Sequence, residues 1–165
     1  MKYILLISLL TIPLFTVIWS CKYGIQGTFS AFYKVIKSKW LFTIVLFITA
    51  FPLVIVAANT MFVVAGFLLC VVGVAPQYWL KTDEKMHLIG AVGSILFGMT
   101  GMLIYWPNWI SISLVMGFAL FYFGAKIVFK IKHSTLYIEL IALIIVVFGV
   151  WINTNCITIV GIGIN

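Results

Sequence analysis

Six long runs of apolar residues constrain this chain more than any other feature of its sequence. The runs cover residues 3–19, 40–58, 61–79, 86–106, 109–129 and 136–152. About 20 apolar residues are needed for an α-helix to cross a hydrocarbon core of roughly 30 Å, so each run approaches the length of a membrane span. In a bilayer every backbone N–H and C=O must be paired, and a helix achieves this within one segment. The sequence therefore predicts an all-α integral membrane protein, a compact bundle of six transmembrane helices with short loops.

The composition leaves no room for a separate soluble domain. Of 165 residues, 65% are hydrophobic and only 8% are charged, whereas roughly a quarter of residues are charged in soluble domains. Residues 1–165 are thus predicted to form a single transmembrane domain. Asn59-Thr60 and Pro107-Asn108 separate neighbouring runs, and such short polar pairs are typical of turns between antiparallel helices.

Tryptophan and lysine positions predict the membrane surfaces and the orientation. Tryptophan favours the interface, because its ring is apolar and its N–H seeks water. The tryptophans stand at the ends of runs, with Trp19, Trp40 and Trp79 at one face and Trp106, Trp109 and Trp151 at the other. All lysines except Lys2 fall in the loops after the first, third and fifth runs or, for Lys126, at the end of the fifth run beside its loop. By the positive-inside rule these loops are cytoplasmic and both termini face outward, in a cell (inner) membrane of bacterial or phage type.

The formal charge of +7 bears on which kinds of partner the chain is expected to bind. It comes from ten lysines and three acids, and the chain has no arginine. Nucleic-acid recognition commonly uses bidentate arginine, so no nucleic-acid partner is expected. The cytoplasmic lysines are predicted to contact anionic headgroups of membrane lipids. Association into a homo-oligomer is left open.

The segments outside the six runs have their own predicted structures. Over residues 28–38, Phe29, Phe32 and Ile36 share one helical face, which predicts a short helix lying in the headgroup layer. The tail at 153–165 is uncharged, β-branched and glycine-containing, so an irregular or weakly extended structure is expected. The first run is interpreted as an uncleaved helix. A cleaved secretory signal ending before Cys21 is the alternative, and it would leave the following lysines outside.

Five ionisable residues converge on the predicted cytoplasmic face: Asp83, Glu84, His87, His133 and Glu139. Asp83 and His87 are four residues apart, so they share a helical face and can bond each other or a metal ion. Glu139 lies about one turn inside the sixth run, where an ionisable group needs a partner. The alternative interpretation is structural, because Asp83 and Glu84 stand where a helix N-terminus favours negative charge. His87 is then a plain interfacial residue.

Small residues give the fourth run a smooth face. Gly90, Ser94 and Gly98 follow one another at four-residue spacing, a pattern typical of close helix packing in membranes. A cleft for a lipid chain or small ligand against this surface is the alternative.

A few short motifs resemble a known family. Val72-Gly73-Val74-Ala75-Pro76, His87 with Gly90-Ala91 three residues later, and Ser30-Ala31-Phe32-Tyr33 are similar to a pattern in small six-helix bacterial membrane proteins. Those proteins resemble the superfamily of alkaline ceramidases and adiponectin receptors. The resemblance implies a zinc site of three histidines, a serine and an aspartate, onto which His87, Asp83 and Ser30 map. The paired histidines expected on a late helix are absent, and Glu139 stands on the last helix instead.

Three functions follow as expectations. The first is a non-enzymatic membrane protein, without a cofactor, that binds a lipid or small amphiphile near its cytoplasmic face. Its predicted ligand-binding residues are Asp83, Glu84, His87, His133, Glu139, Ser30 and Tyr33. The second is a metal-dependent lipid hydrolase with catalytic candidates Asp83, His87 and Glu139, in which zinc would be held by His87 and Asp83. The third is a transporter subunit or channel, which would need a polar path through the bundle.

Overall fold

In the part of the chain that a computed structural model describes, residues 2–29, 31–57, 59–78, 83–128, 130 and 134–160, all regular secondary structure is helical. The helices are α1 (Lys2–Tyr23), α2 (Phe32–Val35), α3 (Lys39–Ala57), α4 (Thr60–Tyr78), α5 (Asp83–Tyr105), α6 (Trp109–Phe123) and α7 (Ser134–Val160). A π-helical turn, Gly124–Val128, extends α6. The predicted all-α class is confirmed.

Five helices are long and apolar enough to cross a membrane. These spans are Tyr3–Tyr23, Lys39–Val56, His87–Tyr105, Trp109–Ile127 and Ser134–Asn155. Within the described residues, α4 adds a shorter apolar helix, Thr60–Val74. By length and composition the chain is that of a multi-pass membrane protein. The sixth span, the orientation and the choice of membrane stay predictions.

The spans pack with α6 at the edge. Consecutive helices α3, α4 and α5 pack on one another, α1 packs on α3 and α7, and α6 packs mainly on α7. Only 11% of the α6 span is buried within the protein, against 44% of the α3 span. The remaining apolar surface of α6 is suited to contact lipid.

Two clusters of buried side chains form the core. One is rich in aromatic residues and includes Phe15, Phe29, Phe32 and Phe42. The other lies between α1, α3, α4, α5 and α7 and includes Leu5, Phe62, Met102 and Val147. The aromatic cluster is nearer the candidate site described below, because two of its phenylalanines line that site.

An asparagine precedes two of the helices. Asn59 Oδ1 accepts a hydrogen bond from Phe62 N at 3.2 Å, just before α4. Asn108 Oδ1 accepts one from Ser111 N at 3.0 Å at the start of α6. A side-chain acceptor at this position satisfies one of the free N–H groups of the first turn. These caps allow the chain to reverse within very short turns.

The prediction of an irregular tail over 153–165 is wrong up to residue 160, because α7 continues to Val160. The polar residues of this stretch bond to the helix rather than breaking it. Asn153 is only 1% exposed and donates to Gly149 O at 2.8 Å and to Ser111 Oγ at 3.1 Å, while Asn108 Nδ2 donates to its Oδ1. Asn153 thus ties α7 to the start of α6. Residues 161–165 lie outside the described residues.

Two further predictions differ from the helix boundaries in the structure. The helix predicted over 28–38 is a single turn, Phe32–Val35, which ends because Ile36 is extended, with φ −77° and ψ 124°. Phe29, Phe32 and Ile36 are nevertheless all buried, as a shared apolar face requires. Trp151 lies inside α7 instead of at its end, and Trp79 lies outside the described residues.

A side chain of α1 compensates for a proline in α3. Pro52 lies inside α3 and has no N–H, so it cannot bond the carbonyl of Ile48 one turn earlier. The hydroxyl of the buried Ser8 donates to Ile48 O at 2.8 Å, and it also contacts Ile4 O at 3.3 Å. A polar group of α3 is thereby satisfied from a neighbouring helix, as lipid surroundings demand.

Replacing Ser8 tests this compensation. We expect Ser8→Ala to lower the free energy of unfolding by about 1 kcal/mol, because Ile48 O loses its donor. In a Pro52→Ala background, residue 52 regains an N–H for Ile48 O, so the same change should cost less than about 0.5 kcal/mol. Reversible unfolding in mixed micelles measures both values. Thr11→Ala, which removes an exposed hydroxyl of the same helix, is the control, and equal losses in both backgrounds would contradict the interpretation.

Candidate functional site

Two hydrogen bonds join the loop after α1 to the first turns of α7. Leu136 N donates to Gly27 O at 3.1 Å, and Phe29 N donates to Glu139 Oε2 at 2.6 Å. The first satisfies a free N–H near the helix start. The second is shorter than a usual bond between an amide N–H and an oxygen. We call this pair of contacts the loop–α7 clasp.

The end of α1 directs the loop toward the clasp. Gly24 has a φ of +78°, a left-handed conformation that glycine adopts without steric cost, and its N–H donates to Ser20 O at 2.9 Å. The amide of Gln26 donates to Tyr23 O at 3.0 Å and to Gly24 O at 3.1 Å. These contacts end α1 and turn the chain back across the bundle end, which brings Gly27 and Phe29 to α7.

A small cavity lies beside the clasp. Its walls are Phe29, Phe42, Leu46, Leu69, Val72, His87, Ala91, Ser94, Ile95, Glu139 and Leu143. Its volume is about 30 Å³, which is room for one or two water-sized groups. The loop, α3, α4, α5 and α7 all contribute to this wall, so the site exists only in the assembled bundle.

Most of the wall is apolar, and its polar groups have distinct roles. Ser94 is buried and its hydroxyl donates to Ala91 O at 2.9 Å within α5, so its proton is already used. His87 stands near the start of α5 and is half-buried. Glu139 uses one oxygen for Phe29 N, and a carboxylate has capacity for about four such bonds. The cavity can therefore supply one carboxylate and one imidazole to a bound group.

Lysines and aromatic rings surround this end of the bundle, which we call the lysine-rich end (Lys22, Lys34, Lys37 and Lys39). Lys39 Nζ lies 5.0 Å from the centre of the buried Tyr33 ring. That ring packs 5.9 Å from Phe42, a cavity wall. Lys22 Nζ lies 5.3 Å from the ring centre of Trp19. Both are cation–π distances, and the Lys39 contact links an ammonium group through Tyr33 to the cavity wall.

The structure brings together two of the predicted site residues, His87 and Glu139, which line one cavity. Tyr33 is buried beside that cavity against Phe42. Asp83 begins α5, one turn before His87. The side chains of Asp83 and Glu84, and the whole of Ser30 and His133, lie outside the described residues.

The small residues of α5 stand where other helices approach closely. A Cβ added at Gly90 would lie 2.7 Å from Val72 Cγ2 and 3.2 Å from Leu68 O, both in α4. One added at Gly98 would lie 2.9 Å from Val146 Cγ1 in α7. Ser94, between them, faces the cavity. The row of small residues therefore packs at its two ends and opens onto a cavity at its middle.

The zinc site implied by the family resemblance is not completed by the described residues. Among them, no group of three or more His, Cys, Asp or Glu side chains lies close enough to hold a metal ion. A catalytic zinc uses three protein ligands and a water, and the cavity contributes only His87 and Glu139 from this part of the chain. No chemical step is therefore assigned to a metal.

Two features of the site were not predicted from the sequence. One is the backbone N–H of Phe29 as the partner that Glu139 needs inside its helix. The other is Phe42 as a cavity wall. The apolar stripe that includes Phe29 was a signal for its burial, but a backbone donor leaves no pattern in side-chain sequence.

Comparisons with known proteins do not place the chain in a family. No family model, no curated protein and no solved structure matches it.

Glu139 should hold the loop in place. We expect Glu139→Leu to speed hydrogen exchange of the Phe29 amide at least about tenfold, because hydrogen bonds to charged groups are worth about 1.5–3 kcal/mol. Glu139→Gln keeps an acceptor oxygen, so its effect should be smaller. Exchange measured by mass spectrometry on a peptide containing Phe29 provides the test. Tyr137→Leu, at an exposed position of α7, is the matched control, and an unchanged rate in Glu139→Leu would contradict the clasp.

Proposed function

We propose that this chain is a non-enzymatic multi-pass membrane protein that binds an amphiphile, a lipid or a small molecule of similar character, at its lysine-rich end. The observation that carries the proposal is the cavity where His87 and Glu139 meet an otherwise apolar wall. Binding sites commonly combine apolar walls with a few polar groups that fix the orientation of the ligand. An ionisable residue inside a span is itself a sign of function, because its desolvation is costly.

The size of the cavity determines which part of an amphiphile it can take. About 30 Å³ is enough for the polar end of a headgroup but not for an acyl chain. Apolar side chains beside the cavity-lining positions of α5 are exposed, among them Leu88, Ile89 and Val92. An acyl chain can therefore lie along the outer surface of α5 while its headgroup turns inward. The nearby lysines favour a headgroup that also carries negative charge.

The hydroxyl groups inside the bundle support binding over conduction. Thr43 donates to Gly73 O at 2.8 Å, and Thr49 donates to Val45 O at 2.9 Å. Ser94 likewise donates to a carbonyl of its own helix. Hydroxyl groups bonded in this way join two helices or donate to a carbonyl of their own helix. They do not form a row of donors and acceptors along which an ion could pass. A channel or transporter subunit is for this reason the weaker alternative.

Filling the cavity should weaken binding. We expect Ala91→Leu and Ile95→Phe each to reduce the affinity for co-purified lipid at least about tenfold, because their larger side chains occupy the space of the headgroup. Native mass spectrometry of the detergent-solubilised protein measures the retained lipid. Gly117→Leu is the matched control, since a Cβ at Gly117 meets no atom within 4 Å. Thermal melting shows that each variant is folded.

Two results would overturn this proposal. The first is unchanged lipid retention in both folded cavity variants. The second is stoichiometric zinc in the purified protein that is lost on His87→Ala, which would favour the metal-dependent hydrolase.

A further inference from the structure

We infer that the bound headgroup is a zwitterion that joins a primary ammonium to a phosphate ester, with the ammonium at Glu139 and the phosphate toward Lys39. This inference rests on the proposed function and specifies its ligand. Phosphatidylethanolamine and soluble phosphoethanolamine share this chemistry. Four properties of the site support it: the Glu139 carboxyl group at the cavity, the aromatic walls, the small volume and the nearby lysine, Lys39.

The acceptor is the Glu139 carboxylate. Its Oε2 accepts one bond from Phe29 N and the residue also lines the cavity, so most of its lone pairs remain for a ligand. An ammonium group has three donors and no acceptor, which makes it the complement of a carboxylate. A second anion placed beside Glu139 would instead be repelled in surroundings of low dielectric constant. The inner end of the cavity therefore favours a cation.

Aromatic walls and small volume restrict that cation further. Phe29 and Phe42 line the cavity and are 4% and 0% exposed, so their rings are fixed and can attract a positive charge. A primary ammonium is about as large as a water molecule and fits a volume of about 30 Å³. The three methyl groups of a choline headgroup need more space. Size thus distinguishes ethanolamine from choline.

The phosphate end is directed outward by lysine. Lys39 Nζ lies over Tyr33, which packs on the cavity wall Phe42. Two side-chain contacts therefore connect this cation to the inner site. A phosphate takes a compact, mobile ammonium donor readily. Glu139 at the cavity and Lys39 beyond Tyr33 thus offer one negative and one positive group to a zwitterionic headgroup.

Binding to headgroups of different charge and size tests the inference. The full chain in detergent micelles is titrated with phosphatidylethanolamine, phosphatidylcholine and phosphatidylglycerol of identical acyl chains. Phosphatidylethanolamine should bind at least about tenfold more tightly than the other two lipids. In Glu139→Gln, which keeps an acceptor for Phe29 N, that preference should fall to about twofold or less. Lys39→Gln should weaken the binding of both phosphatidylethanolamine and phosphatidylglycerol, and Lys39→Arg should restore it.

The possible outcomes separate this inference from the proposed function. Equal binding of the three lipids, or a preference that survives in folded Glu139→Gln, overturns the inference. If Ala91→Leu still weakens lipid binding at least about tenfold in that case, the proposed function stands without it. Displacement of phosphatidylethanolamine by soluble phosphoethanolamine shows that the headgroup is sufficient. If the protein still prefers phosphatidylethanolamine but soluble phosphoethanolamine does not displace it, the ligand is the membrane lipid.

Discussion

The hydrogen bond from Phe29 N to Glu139 determines how the lysine-rich end of the bundle is arranged. It joins the first connecting loop to the last helix, 110 residues apart in the chain. Phe29 packs at the same time against Phe15, Phe32 and Phe42, with ring centres 5.5–6.4 Å apart. The contact therefore fixes a polar group and an aromatic cluster together. The cavity beside Glu139 is a consequence of this arrangement.

Other polar contacts relate the helices to one another in the same way. Helix surfaces in lipid gain little from apolar burial, because lipid chains are as apolar as the side chains. A small number of directional bonds therefore distinguishes one arrangement of helices from another. Ser8 bonds Ile48 O between α1 and α3, Thr43 bonds Gly73 O between α3 and α4, and Asn153 bonds Ser111 between α7 and α6. Each involves one or two polar side chains within otherwise apolar helices.

The sequence predicted the helices well because their signal is local. The apolar runs and the asparagine turns at Asn59 and Asn108 are patterns within a few residues. The end of α7 was missed because Asn153 ordinarily disfavours a helix, whereas here its side chain bonds Gly149 O and Ser111. That compensation depends on a neighbouring helix and cannot be read from the local pattern. The meeting of His87 and Glu139 followed from their predicted membrane face, but the role of the Phe29 backbone did not.

Solid-state NMR on the protein in lipid tests the central claim most directly. The chain has two glutamates, Glu84 and Glu139, so ¹³C-labelled glutamate gives two side-chain carboxyl signals, which Glu84→Gln assigns. With ¹⁵N-ethanolamine phosphatidylethanolamine in the bilayer, we expect a ¹³C–¹⁵N dipolar contact at Glu139 that disappears in Ala91→Leu. A spectrum without that contact at Glu139, from folded protein in bilayers rich in the labelled lipid, would contradict the account.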